Sequence, residues 1–128
     1  MQGFVFVNIS TPQFYKGRKC QPSFVKITAQ AGLPNTAHVL LFARFKSLKS
    51  ETASEWTSIE METIGGGTYT HDLYTDEMQG DEIFYLDNWV EYQIVATNSA
   101  GTEIGRTDIF KERVKSLVCV PPTPTIKP

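Results

Sequence analysis

Apolar and polar residues alternate along most of this chain, in runs of strand length. In Phe24-Val25-Lys26-Ile27-Thr28-Ala29 and Val39-Leu40-Leu41-Phe42-Ala43-Arg44-Phe45, β-branched and aromatic residues dominate, and turn formers such as Gly32-Leu33-Pro34-Asn35 separate the runs. Residues 56–61, 68–73 and 90–96 carry the same period. Residues 4–9 read as an opening edge strand, and 102–109 with 114–119 as a closing strand that is interrupted or bulged. Gly65-Gly66-Gly67 and Asn98-Ser99-Ala100-Gly101 are hairpin turns, because glycine reaches positive φ without a Cβ penalty. No segment holds a helical period of useful length. About seven short strands without helices predict an all-β, two-layer antiparallel β-sandwich of Greek-key order.

The same alternation assigns faces. Val39, Leu41, Ala43 and Phe45 share the inward face, as do Ile59 with Met61, Tyr69 with Leu73, and Tyr92 with Ile94 and Ala96. Lys26, Arg44, Glu60, Asp72, Glu91 and Gln93 fall outward. Leu40, Phe42 and Val95 break the pattern by placing apolar groups on an outer face, which predicts a sheet partly covered by a neighbour.

A chain of 128 residues is one domain, assigned here to 1–119. The remaining 120–128 include four prolines and read as a Pro/Thr-rich linker, a semi-rigid spacer expected of a piece of a longer protein. A net charge of -2 removes any bulk attraction to nucleic acid or to an anionic membrane. No run approaches the roughly 18 apolar residues of a membrane span, so no direct membrane insertion is expected, and the first ten residues lack the basic start of a signal peptide. Charge is unevenly spread: no Lys or Arg lies between Lys49 and Arg106, while 12 of the 14 acidic residues fall from Glu51 to Glu103. That anionic middle reads as solvent faces and loops, with a site for a cation or basic partner as the alternative.

Cys20 lies before the first strong strand run and Cys119 after the last. Successive up-and-down strands bring both to one end of a sandwich, where a disulfide would clamp the finished domain and imply export; two reduced thiols in a cytosolic protein are the alternative. Catalysis finds no support. His38 and His71 have no nucleophile or carboxylate partner in a recognisable motif, no CxxC or HExxH spacing occurs, and the glycine triplet lacks the Lys-Ser/Thr of a phosphate loop. No enzyme activity and no cofactor are therefore expected. The loop 76–82, with Asp76, Glu77, Asp81 and Glu82, is acidic enough to raise the question of Ca²⁺ but misses EF-hand spacing, and Asn8-Ile9-Ser10 is a lone glycosylation tripeptide. Trp56, Tyr74, Tyr85 and Trp89 lie at strand ends and along the acidic connection 73–90. They form either a platform on which sugar rings stack or lids over the core, and the positions of Ile59, Met61 and Tyr92 favour buried lids for both tryptophans, hence no glycan binding tighter than millimolar.

The string Tyr15-Lys-Gly17-Arg-Lys-Cys20-Gln-Pro22, with Trp56-x-x-Ile59-x-Met61, Gly67-x-Tyr69-x-x-x-Leu73, Tyr92-x-Ile94-x-Ala96-x-Asn98-x-x-Gly101 and a last Cys119, resembles the immunoglobulin-like or fibronectin-III-like modules of bacterial secreted and cell-surface multidomain proteins. The resemblance implies a non-catalytic module that spaces or docks neighbouring domains of its parent chain outside the cell. Asn98 departs from the Asp frequent at that turn. The cysteine pair is unlike that of antibody domains, which joins the middles of the two sheets. A carbohydrate-binding module using exposed aromatics is the second expectation, with another protein or a glycan as the corresponding partner.

Overall fold

A computed structural model of the chain describes residues 3–120. The proline-rich run 121–128, taken as most of a linker, lies outside the described residues, as do the side chains of Asp81 and Glu82 in the acidic loop. Two β-sheets pack face to face. One has four strands in the order β1 (Phe4–Ile9), β3 (Phe24–Ala31), β7 (Thr68–Tyr74), β6 (Glu62–Gly65). The other runs β2 (Gln13–Tyr15), β10 (Phe110–Leu117), β8 (Asn88–Thr97), β4 (His38–Ser47), β5 (Thr57–Glu60), with β9 (Glu103–Arg106) pairing the far end of β8. Two short 3-10 turns, Thr75–Glu77 and Asp81–Tyr85, make up most of the β7–β8 connection, and no α-helix occurs among the described residues.

The core is the set of inward positions. Val25, Ile27 and Ala29 of β3 and Leu73 of β7 meet Val39, Leu41, Ala43 and Phe45 of β4 and Val90, Ile94 and Ala96 of β8, and none of these eleven side chains reaches solvent. β4 and β8 pair in unbroken register from His38↔Thr97 to Ser47↔Asn88, so the inward faces predicted for both strands hold along their full length. Burying a Leu or Ile of this kind stabilises by about 1.5–3 kcal/mol.

Ten strands replace the seven expected, for three local reasons. β2 spans three residues, too few to show a period, and β6 has no buried position at all. The closing strand is divided at 107–109, where Thr107 turns inward and its hydroxyl accepts the Ile94 amide at 3.0 Å. The sandwich is also not wholly antiparallel. After β1 the chain crosses at Pro12 to the other sheet, where β2 lies parallel to β10 with Tyr15 opposite Leu117. Strand ends running in the same direction deliver the cysteines together: Cys20 and Cys119 form a disulfide with a Cα–Cα distance of 5.7 Å. At the opposite end Gly3, at φ +87°, lies so near Gly105 that a Cβ would come within 2.9 Å of the Gly105 Cα, and glycine lets β1 and β9 approach there.

Candidate functional site

The outer face of the six-stranded sheet gathers the most chemistry. Its rows follow from the register. Lys46, Trp89 and Lys115 lie side by side across β4, β8 and β10; Arg44 stands next to Glu91; Phe42 next to Gln93; Leu40 next to Val95, and Val95 next to Arg106. The apolar side chains that broke the alternation therefore form one band on this face. Trp56, just before β5, joins it through Arg44, whose guanidinium lies 4.3 Å from the indole centre and also bonds the Glu91 carboxylate at 2.7 Å. The Glu91 side chain is only 5% exposed although it points away from the core. The Arg44 fork is what makes that burial tolerable, since an unpaired carboxylate there would lose its hydration without compensation.

Both tryptophans differ from the expected lids. Outward residues of β8 alternate with Val90, Tyr92 and Ile94, which puts Trp89 on the outer face, and Trp56 stacks on the outward Arg44. The other two predicted aromatics lie elsewhere. Tyr74 is on the outer face of the four-stranded sheet, packed on Phe24 with ring centres 5.3 Å apart and beneath the Arg18 guanidinium at 3.8 Å. Tyr85 projects from the second 3-10 turn, 75% exposed. The structure thus brings Trp56 and Trp89 to one face and separates Tyr74 and Tyr85 from them.

Three open clefts lie along this face. One of about 700 Å³ is walled by residues 103–109 of β9 and the segment after it, where Arg106 bonds Gln93 at 3.2 Å and grips Glu103, holding that exposed carboxyl below the usual carboxylate range through the side-chain hydrogen bond. A smaller one, about 250 Å³, is lined by Phe42, Trp56, Gln93 and Arg106. The third, about 460 Å³, lies beside Trp89 between the turn 47–51 and residues Lys111 and Glu112.

A buried polar cluster closes the disulfide end of the core. Lys16 follows Phe14 on the inward side; its ammonium donates to Ser116 Oγ at 3.0 Å and to Asn88 Oδ1 at 3.5 Å, over the Phe45 ring at 4.0 Å and the Phe84 ring at 5.0 Å. The Ser116 hydroxyl also donates to Asn88 Oδ1, and the Asn88 amide donates to the carbonyls of Ile83 and Leu86 at 2.6 and 2.9 Å. Burial lowers the Lys16 ammonium to about 8, with the Asp87 charge pulling the other way. The sequence hint for this lysine was its place two residues after Phe14, in phase with the core.

The remaining candidates are engaged locally. His71 lies between Glu62 Oε2 at 3.2 Å and Glu77 Oε2 at 2.8 Å, and Glu77 Oε1 accepts the Tyr74 amide. Asp76 of the acidic loop pairs with Arg18 at 3.3 Å. His38 stands 3.5 Å from Glu60 at the exposed start of β4. No group of three His, Cys, Asp or Glu side chains among the described residues is placed to hold a metal ion. Compared with protein-family models, with curated proteins and with solved structures, the chain finds no match in any of the three.

Proposed function

We propose that the chain is a non-catalytic extracellular module, immunoglobulin-like or fibronectin-III-like in kind, that spaces or docks neighbouring domains of a larger bacterial secreted or cell-surface protein. The observation that carries this reading is the Cys20–Cys119 bridge. It ties the loop after β2 to Cys119, the last residue before the segment 120–128 read as a linker, and such bridges persist where the surroundings are oxidising. The passage of the chain from β1 in one sheet to β2 in the other, with β2 parallel to the last strand, is compatible with an immunoglobulin-like sandwich. The half-buried Leu40, Phe42 and Trp56 of this face are the docking surface on this reading; Val95 between them is already covered.

Labelling intact source cells with a membrane-impermeant amine reagent tests it. The expected result is labelled lysines on this domain and, in non-reducing peptide maps of the same material, a linked Cys20–Cys119 pair. Protection from the reagent until lysis, with both thiols free, would refute the reading. A second reading, a carbohydrate-binding module, draws support from Trp56 and Trp89 sharing one face.

A further inference from the structure

Trp89 has a lysine directly across from it on both neighbouring strands, Lys46 on β4 and Lys115 on β10. The Lys115 ammonium lies 5.0 Å from the indole centre. Beside this row β10 leaves regular pairing: Phe110 stands opposite Tyr92 and Val114 opposite Val90, so residues 111–113 face Glu91 alone. Glu112 takes φ +56° there, a left-handed conformation uncommon for a residue with a Cβ. The turn 47–51 faces this bulge. It is held by the Lys46 ammonium donating to the Ser50 carbonyl at 2.5 Å and by Ser47 Oγ accepting the amides of Lys49 and Ser50 at 3.1 and 3.2 Å. Turn and bulge wall the open cleft of about 460 Å³ beside Trp89.

The lining of this cleft is balanced in number, Lys46, Lys49 and Lys111 against Glu51, Glu91 and Glu112, but Glu91 is held by Arg44 at 2.7 Å and Glu51 lies 3.9 Å from the Lys46 ammonium. Lys49 and Lys111, with Lys115 beside the cleft over the indole, are thus opposed by Glu112 alone among the lining carboxylates. The sequence holds no Lys or Arg from 50 to 105, so these cations come from its two flanks, and the β4–β8–β10 adjacency joins them around one aromatic ring.

We propose that this cleft binds acidic sugar units, hexuronates or sulfated pyranoses of a polysaccharide, with Trp89 against the C–H face of one ring and Lys49, Lys111 and Lys115 on its anionic group. An indole offers a flat apolar surface that matches the C–H face of a pyranose; the sugar takes the place over the ring that the Lys115 ammonium holds in the structure, and that ammonium, with those of Lys49 and Lys111, makes charge-assisted hydrogen bonds to carboxylate or sulfate. A neutral glycan leaves those ammonium groups without partners, and an acidic peptide offers a flat apolar face for the ring only where an aromatic or proline residue stands beside its carboxylates. The inference rests on the sugar-binding reading and is independent of the spacer reading, which the cell-labelling experiment tests separately.

Calorimetry on the 128-residue chain at low salt, with a polygalacturonate oligomer, a sulfated dextran oligomer, which carries no uronate, and an unsulfated dextran oligomer of equal length, tests it. One or both acidic oligomers should bind at least about tenfold more tightly than unsulfated dextran and weaken several-fold between about 20 and 150 mM salt; which of the two binds distinguishes uronate from sulfate. Trp89→Ala should weaken binding about tenfold, and the change Lys111→Glu at an exposed position should keep the circular-dichroism spectrum of the wild type while weakening binding at least about threefold. In Trp56→Phe the sole indole is Trp89, and its fluorescence must respond to the oligomer; no response at saturation would overturn the proposal. Acidic oligomers binding no better than unsulfated dextran would overturn the proposal. So would polyglutamate binding as tightly while Trp89→Ala has no effect, which would assign the cleft to acidic proteins instead.

Discussion

The Lys16 ammonium lies 4.0 Å from the centre of the Phe45 ring, at the end of the hydrophobic core, with no carboxylate in salt-bridge contact among the described residues. A cation kept there by two hydrogen bonds and an aromatic face is under-compensated for its lost hydration, which is why its ionisation is lowered to about 8.

This gives a pH dependence of definite sign. Because the folded value is lowered from 10.5 to about 8, the penalty of holding the charged form is fully present below pH 8 and is relieved as pH rises from there towards 10.5. Unfolding free energy by urea should increase by about 1–2 kcal/mol between pH 7 and 9.5. Lys16→Met should abolish the rise. Above that range the Tyr92 hydroxyl, raised by burial with Arg113 opposing, works in the other direction: its ionisation costs stability as pH climbs, so the comparison belongs below pH 10. A flat profile in the wild type would contradict the buried amine.

The Arg44–Glu91 pair should behave as a buried pair although it lies on an outer face. Arg44→Met leaves the Glu91 carboxylate buried without its partner and should cost about 3 kcal/mol in chemical denaturation. Adding Glu91→Met should recover much of the loss, since the double change removes the stranded charge. Equal, additive losses in the two single variants would mean that water already solvates Glu91.

Facing positions of β4 and β8 predict a clear ranking. Leu41→Ala and Ile94→Ala, each removing a side chain with no exposure, should each cost about 2–5 kcal/mol. Gln93→Ala, expected from the alternation alone to cost little, should cost about 1 kcal/mol. The Gln93 amide donates to the Thr107 carbonyl at 2.7 Å and its oxygen accepts from Arg106, bracing the break between β9 and β10.

Removing the disulfide should lower stability without changing the fold. The bridge closes a loop of 99 residues, for which the chain-entropy model gives about 4–5 kcal/mol. Replacing both Cys20 and Cys119 by Ser should lower the melting temperature while the far-ultraviolet spectrum keeps its β-sheet form, because the eleven-residue set of fully buried apolar side chains is untouched. Complete loss of structure would show the core to be insufficient by itself.

The alternation of Val39, Leu41, Ala43 and Phe45, and of Tyr92, Ile94 and Ala96, already contained the two packed faces, because a strand's side-chain period is a local property of the backbone. Gly65-Gly66-Gly67 and the turn at Asn98 likewise marked their hairpins, since positive φ is decided by the residue at the position. Even the pairing of Cys20 with Cys119 was legible as a shared end, although its cause is the parallel β2–β10 pairing rather than a count of reversals. What the chain could not announce were the neighbours of outward residues. Trp89 lies more than forty residues along the chain from Lys46 and more than twenty from Lys115, and only the strand order β4–β8–β10 sets it between them. Lys16, Asn88 and Ser116 form a single cluster for the same reason. Local periodicity chooses which way a side chain points; contacts across a sheet depend on which strands lie side by side, and that is settled only when the whole core closes.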